Sequence, residues 1–546
     1  MLTLTQALSV LAKSSPFSVK TLSDRQKDEL DEFKDWLFVE QSIEKDLRGL
    51  LNEINSKKIV FLCGSSGDGK SEILARCHDK FREKFDFHLD ATHSFAPDES
   101  AIQTLDKTFD AHAKGSRPLV VGINIGMLAN YANEGNSRHD EIKKSINRFL
   151  EKKLKSTNRS MVDGPVHYLE FEQYPRFHFP KIDGTYSIFT HNLFQNLTSK
   201  DPKNPFFQAE KYERQSGNGN TLVLTNYKIL SLASVQEMII TQLLKARLIK
   251  DQFITVRALL DLIHHLILGP GYIFDNLYVG DDNELVNRLA EFDPAKIHTR
   301  ELDELVLKYE LQLPDVALKD FLTEATKYEI NLEFRSSEPL KAASLIRLFS
   351  LIKDEEFGNN YHHKFRATFK ETSLEKFIEA WTLHKEFDGN PERRIALRRF
   401  YQTDLILGFQ KYANRNAPEL INTQNELYLN SFGSVMLTAP IDLKPDHIST
   451  LDKNGITNTS FTAYLKNYEN SIKSIVINYN LFELLQKLKD GYHPNKYDKN
   501  SIVLLEEIID QILAAVKVGS HLKFYDADYR YTVKEEEGMF VINEVR

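Results

Sequence analysis

The sequence predicts an α/β sheet with helices on both faces, followed by a mostly α-helical C-terminal half that ends in a short β-hairpin. Two observations carry the first part. Short apolar, β-branched runs alternate with charged amphipathic segments between residues 58 and 172, the pattern of a parallel sheet with both faces covered. Beyond about residue 185 that alternation stops, and residues 273–520 read as mostly helical. A third observation ends the chain: "LKFYDADYRYTVKEEEGMFVINEV" alternates around a Glu-Gly turn.

The elements follow in order. Residues 1–40 form an N-terminal helical extension with a charged stretch from Ser23 to Lys34. Ser42 is the expected N-cap of a helix over Ile43–Ile54, with Leu47, Leu50 and Leu51 on one face. "KIVFLC" is the first strand, and a helix from Lys70 to about Lys84 follows a Gly-rich loop. "FDFHLDAT" is the second strand, and Pro97 marks the start of a helix running to about Ala113. "RPLVVGINIG" and "PVHYLEFE" are the third and fourth strands, separated by a helix over Arg138–Lys155. Residues 41–230 therefore read as the α/β domain. Residues 231–270 read as a helical lid in which Thr255 caps "VRALLDLI", and residues 271–546 as the helical C-terminal region after the "GPGY" break.

Composition narrows the function classes. The 546 residues carry 70 basic and 78 acidic side chains, a net charge of −8. That gives no global field to hold a polyanion. The two cysteines, Cys63 and Cys77, exclude a disulfide framework and a cysteine-built zinc site, which fits a reducing compartment. No apolar run reaches membrane-span length, and "MLTLTQALSVLAKSSP" is too polar for a secretory core. The expected location is the cytoplasm.

The chemistry concentrates in "FLCGSSGDGKSEIL". Gly64, Gly69, Lys70 and Ser71 match G-x-x-x-x-G-K-[ST] between a strand and a helix; roughly 0.01 such matches arise by chance in a chain of this composition. Glycines let backbone N–H groups of Gly64, Ser65, Ser66, Gly67, Asp68 and Gly69 wrap an anion, and the helix N-terminus adds positive potential. Lys70 is expected to reach the β- and γ-phosphates of ATP, and the Ser71 hydroxyl to ligate Mg²⁺. Asp68, an acid inside a polyanion loop, is expected to point to solvent.

Turnover needs a further group at a strand end. Asp90, closing "FDFHLD", is the first candidate to hold Mg²⁺ through water. Asn124, closing "LVVGIN", can orient water or touch the γ-phosphate but cannot act as a base. Glu170 in "HYLEFE" is the third candidate, with alternation expected to bury Tyr168 and turn Glu170 elsewhere. Arg257 opens the lid helix, a spacing that resembles the γ-phosphate-sensing arginine of ring-forming AAA+ ATPases. Elsewhere the chemistry is thin. His264-His265 and His362-His363 are adjacent pairs that face different helix sides. "PERRIALRRF" places Arg393, Arg394, Arg398 and Arg399 on one helix, as a solvated face or a contact for phosphate or an acidic partner.

Several stretches in this order resemble the DNA phosphorothioation-dependent restriction protein DptF family: "ALSVLAKSSPFSV", the Gly-rich loop, "LDATHSFAPDESAIQTLD", "PLVVGINIGMLANY", "LVLTNYKILSLASVQ" and "ITVRALLDLI". The resemblance covers roughly residues 5–270. It implies an ATPase of a bacterial defence system that attacks DNA lacking backbone sulfur, acting with companion restriction proteins and on DNA directly or through that complex. An oligomer is compatible with this. The residues alone leave two other readings open: a nucleotide-gated scaffold with little turnover, and a phosphotransferase whose second-strand acid is Asp90.

Overall fold

Ile59–Gly64, buried at all six positions, forms the central strand β1. In the computed structural model it is flanked by Leu119–Asn124 (β3) on one side and Val166–Glu170 (β5) on the other. Asp86–His88 (β2) extends the sheet beyond β3, and Ser160–Asp163 (β4) pairs antiparallel to β5, giving the order β2-β3-β1-β5-β4. The structure describes residues 2–12, 29–92, 99–153, 160–216, 221–280, 283–332, 341–352, 360–417, 420, 425–453, 455–468, 470–515, 522–526, 529–536 and 538–544.

Both faces of the sheet are covered, as its unbroken apolar strands require. Ile59, Phe61 and Cys63 pack with Leu105 and Phe109 of α3 (Ala101–Lys114), Leu128 and Tyr131 of α4 (Ile125–Glu134), and Ile146 and Phe149 of α5 (Asp140–Lys153). Val60 and Leu62 face the other way, onto Ile43, Leu47 and Leu51 of α1 (Ser42–Glu53) and Ile73, Leu74 and Cys77 of α2 (Lys70–Phe81). The strands run on to other strands only through helices, except at β4, which the sequence reading missed because its burial alternates and both its ends are polar.

Local signals placed the element ends with mixed success. The cap of α1 is Gln41, with no side-chain bond, and Ser42 is the first helical residue. The expected helix start at Pro97 falls outside the described residues. Helix α3 begins instead at Ala101, where Ser100 and Gln103 form a capping box. The lid helix α6 (Val256–Leu268) starts where expected: the Thr255 hydroxyl accepts from the Ala258 N–H at 3.2 Å. Its Leu259, Leu262, Ile263, Leu266 and Ile267 form one buried stripe.

The chain divides into two compact units, residues 1–247 with 252–369, and residues 248–251 with 370–546. The second holds more strand than the helical reading allowed. Glu426–Phe432, Val435–Pro440, Leu522–Asp526, Tyr529–Glu536 and Met539–Glu544 form one five-stranded antiparallel sheet, so the C-terminal hairpin is the edge of a larger sheet. Shorter strands at 443–445, 460–463, 465–467, 470–471 and 475–478 make two small sheets. Among the described residues no single helix is long and apolar enough to cross a membrane; Thr221–Leu230 and Ala233–Lys250 are so in length and composition only when taken together, and they are bent by 78°.

Candidate functional site

From β1 the chain crosses to β2 at one edge and returns by β3, then passes to β5 on the far side of β1, so the C-terminal end of β1 lies where strand order reverses. In an open parallel sheet that crevice is the ligand-binding place. The Gly-rich loop, residues 65–69, sits there and delivers the chain into α2. Gly67 and Gly69 take φ of +84° and +96°, a region costly for any residue with a Cβ. Gly64 is required by crowding: a Cβ there would lie 2.8 Å from both Asp68 Oδ2 and the Phe171 ring.

Lys70 is buried, and its Nζ donates to the carbonyls of Ser65 at 2.6 Å and Gly64 at 3.3 Å. The ammonium is thus tethered to the first turn of the loop. Burial pushes its pKa down, against the upward pull of the Asp68 and Asp90 carboxylates. A further anion beside it would offset that desolvation cost by charge attraction.

Asp68 does not point to solvent. Its side chain is 1% exposed, with Oδ2 accepting from the Ser65 N–H at 2.5 Å and Oδ1 3.5 Å from Arg176 Nη1. The loop curls around its own acid because Arg176 reaches it from the segment after β5. Arg176 is itself buried. It donates to the carbonyls of Ile254 (2.7 Å) and Asp68 (3.1 Å) and to Gln41 Oε1 (3.3 Å), among the rings of Phe171, Phe189 and Phe253. Burial pushes the Asp68 carboxyl up and the Arg176 guanidinium down to about 10, in each case opposed by the partner's charge. The sequence reading missed Arg176. Its one local signal was a lone cation in the aromatic stretch "YPRFHF".

The structure brings Arg257 to the loop. Its N–H donates to the Gly67 carbonyl at 3.1 Å, and a Cβ on Gly67 would lie 3.0 Å from Arg257 Cβ. Asn124 is also adjacent, being the register partner of Gly64. Its Oδ1 is used as the cap of α4, accepting from the Met127 N–H at 2.6 Å, which leaves only its NH₂ to meet an anion.

Asp90 lies one strand farther out, beyond β2. Its Oδ1 accepts from the Thr92 N–H at 2.9 Å and the Thr92 hydroxyl at 2.6 Å. The chain passes close over β3 there, since the Ala91 N–H donates to the Gly122 carbonyl and a Cβ on Gly122 would sit 2.6 Å from the Leu89 carbonyl. That approach keeps Asp90 within electrostatic reach of Lys70. Glu170, opposite Cys63, is buried with Tyr168. Residues two apart share a strand face, so alternation could not have turned Glu170 away from it.

No cluster of three His, Cys, Asp or Glu among the described residues is placed to hold a metal. A Mg²⁺ ion keeps several waters and takes few protein ligands, so it does not need such a cluster. Of the other candidates, His265 Nε2 lies 3.1 Å from the Val279 carbonyl and His362 Nδ1 3.0 Å from that of Phe349. Arg393 pairs with Glu386 and Asp388, while Arg394, Arg398 and Arg399 are exposed. Comparison with known proteins gives no match: no protein family, no curated protein and no solved structure aligns with the chain.

Proposed function

We propose that this chain is a P-loop ATPase that binds Mg-ATP at Gly64–Ser71. The observation that carries the reading is the loop itself. It lies at the strand-order reversal, with left-handed glycines and a buried lysine whose ammonium is held by two loop carbonyls. Backbone N–H groups of the loop and the start of α2 supply donors to phosphate oxygens, and Lys70 supplies the compensating charge. Ser71 would hold Mg²⁺, with Asp90 behind a water. When bound, the metal would neutralise charge developing between the β- and γ-phosphates. Asn124, through its NH₂, and Arg257, beside Gly67, are the groups assigned to the γ-phosphate. The experiment is a nucleotide-binding titration of Lys70→Ala, which should lose ATP; equal affinity for ATP in variant and parent would sink the assignment.

The wider role follows the family resemblance: an ATPase subunit of a phosphorothioation-dependent restriction system, acting with companion proteins on unmodified DNA. The cytoplasmic assignment draws support from Cys63 and Cys77, which are both buried and in no disulfide. A restriction assay in cells carrying Lys70→Ala tests this role, and normal restriction would count against it.

A nucleotide-gated scaffold with little turnover is the second reading. It is favoured by the commitment of the Asn124 oxygen to a helix cap and by the burial of Glu170. Phosphate release with and without DNA separates the two readings.

A further inference from the structure

Arg176 closes a circuit between the loop and the lid. It grips Asp68 through both the carboxylate (3.5 Å) and the carbonyl (3.1 Å), and Ile254 through its carbonyl (2.7 Å). Ile254 directly precedes the Thr255 cap, and Arg257 returns to the loop by donating its N–H to Gly67. Gly67 and Asp68 are therefore bonded to the start of α6 at two places, one of them through Arg176. A displacement of the loop carries Ile254 and Arg257 with it.

The pair is a poor choice if stability alone is its purpose. Arg176 Nε and Asp68 Oδ1 are buried with no hydrogen-bond partner among the described residues. A buried ion pair left partly unsatisfied is generally less stabilising than apolar packing of similar volume. The planar guanidinium fork does offer something an apolar group cannot, since it holds acceptors from two segments at once in a fixed geometry.

We propose that Arg176 is a positioning residue that couples occupancy of the nucleotide loop to the placement of Arg257 on the lid helix. The role rests on the loop binding a triphosphate, as proposed above. Because Arg257 is assigned to the γ-phosphate, coupling shows as preference for ATP over ADP rather than as affinity for nucleotide in general.

The test is a double-mutant cycle on the full chain, with dissociation constants for Mg-ATP and Mg-ADP. Arg257→Ala and Arg176→Met should each lower the ATP-over-ADP preference by about tenfold, within the usual range of coupling between sites. ADP affinity should change by about twofold or less, and the double variant should lose no more preference than either single one, since residues acting as a unit are not additive. Equal weakening of both nucleotides by Arg176→Met, or additive losses in the double variant, would overturn the coupling and leave a merely structural arginine.

Arg176→Lys guards against misfolding. It keeps the charge beside Asp68, but one ammonium cannot span the loop and the Ile254 carbonyl together, so the preference should fall while the melting curve stays near the parent's. Amide exchange without nucleotide tests the tie separately. The Ser65 and Arg257 N–H groups should exchange about tenfold faster in Arg176→Lys than in the parent, with amides of β1 unchanged. Unchanged exchange at both overturns the tie. Failure of the parent to bind either nucleotide overturns the loop reading instead, a result the exchange data do not depend on.

Discussion

Replacing Asp68 with alanine removes one half of a buried ion pair and leaves the Arg176 guanidinium without its counter-charge. Both partners are enclosed, at 1% and 7% exposure. Removing one member of such a pair costs about 3–5 kcal/mol, because the remaining charge stays desolvated. The Ser65 N–H also loses its acceptor. A solvent-facing Asp68 would predict a change within about 0.5 kcal/mol, so the two placements differ well beyond error. The assay is urea denaturation followed by fluorescence. The chain has two tryptophans, Trp36 in the first compact unit and Trp381 in the second. In a Trp381→Phe background, Trp36 reports the first unit alone. Asp68→Leu combined with Arg176→Met should recover most of the loss, since both charges are then gone and burial, which sets both pKa shifts, no longer penalises either. A midpoint for Asp68→Ala indistinguishable from the parent would refute the buried placement. Failure of the double variant to recover would refute the claim that desolvation dominates the pair.

Other predictions follow the same physics. Gly122→Ala should destabilise the first unit by about 1–3 kcal/mol by overpacking, because its Cβ meets the Leu89 carbonyl at 2.6 Å and Leu74 Cδ1 at 2.5 Å; a neutral effect in denaturation would contradict that approach. Gly67→Ala should cost about 1–2 kcal/mol from left-handed strain and weaken nucleotide binding by pressing on Arg257; binding calorimetry at parental affinity would count against the loop–lid contact. His384 in the second unit is buried, between the Ala380 carbonyl and the Tyr401 hydroxyl, and burial lowers its pKa from 6.5 to about 4. The folded state therefore favours the neutral ring. The stability this contributes is complete above pH 6.5 and lost as pH falls toward 4, about 3 kcal/mol in all. His384→Phe should flatten that slope in Trp381-monitored denaturation, and an unchanged slope would assign it to another group.

What the sequence made legible was local. The loop, Thr255 as a cap and the strands flanking β1 each announce themselves within a few residues, by spacing, by a hydroxyl before a helix or by a β-branched run. Asp68 was misplaced because its environment comes from Arg176, 108 positions away, and from Ile254 beyond that. No periodicity links such positions. The strands between residues 426 and 478 were missed for another reason. They are two to seven residues long, and runs that short leave too few alternations to outweigh the helical segments around them. Asn124 shows the reverse limit: its position beside the loop was legible, but the commitment of its oxygen to the start of α4 was not.

The central claim is that residues Gly64–Ser71 bind a nucleoside triphosphate. Isothermal calorimetry of Mg-ATP into the full chain, beside Lys70→Ala, tests it most directly. A saturable one-to-one heat for the parent that falls by at least about 100-fold in affinity for the variant, the loss of a buried charge-assisted contact, is the predicted result. No heat with the parent, or the same isotherm for both, would contradict it.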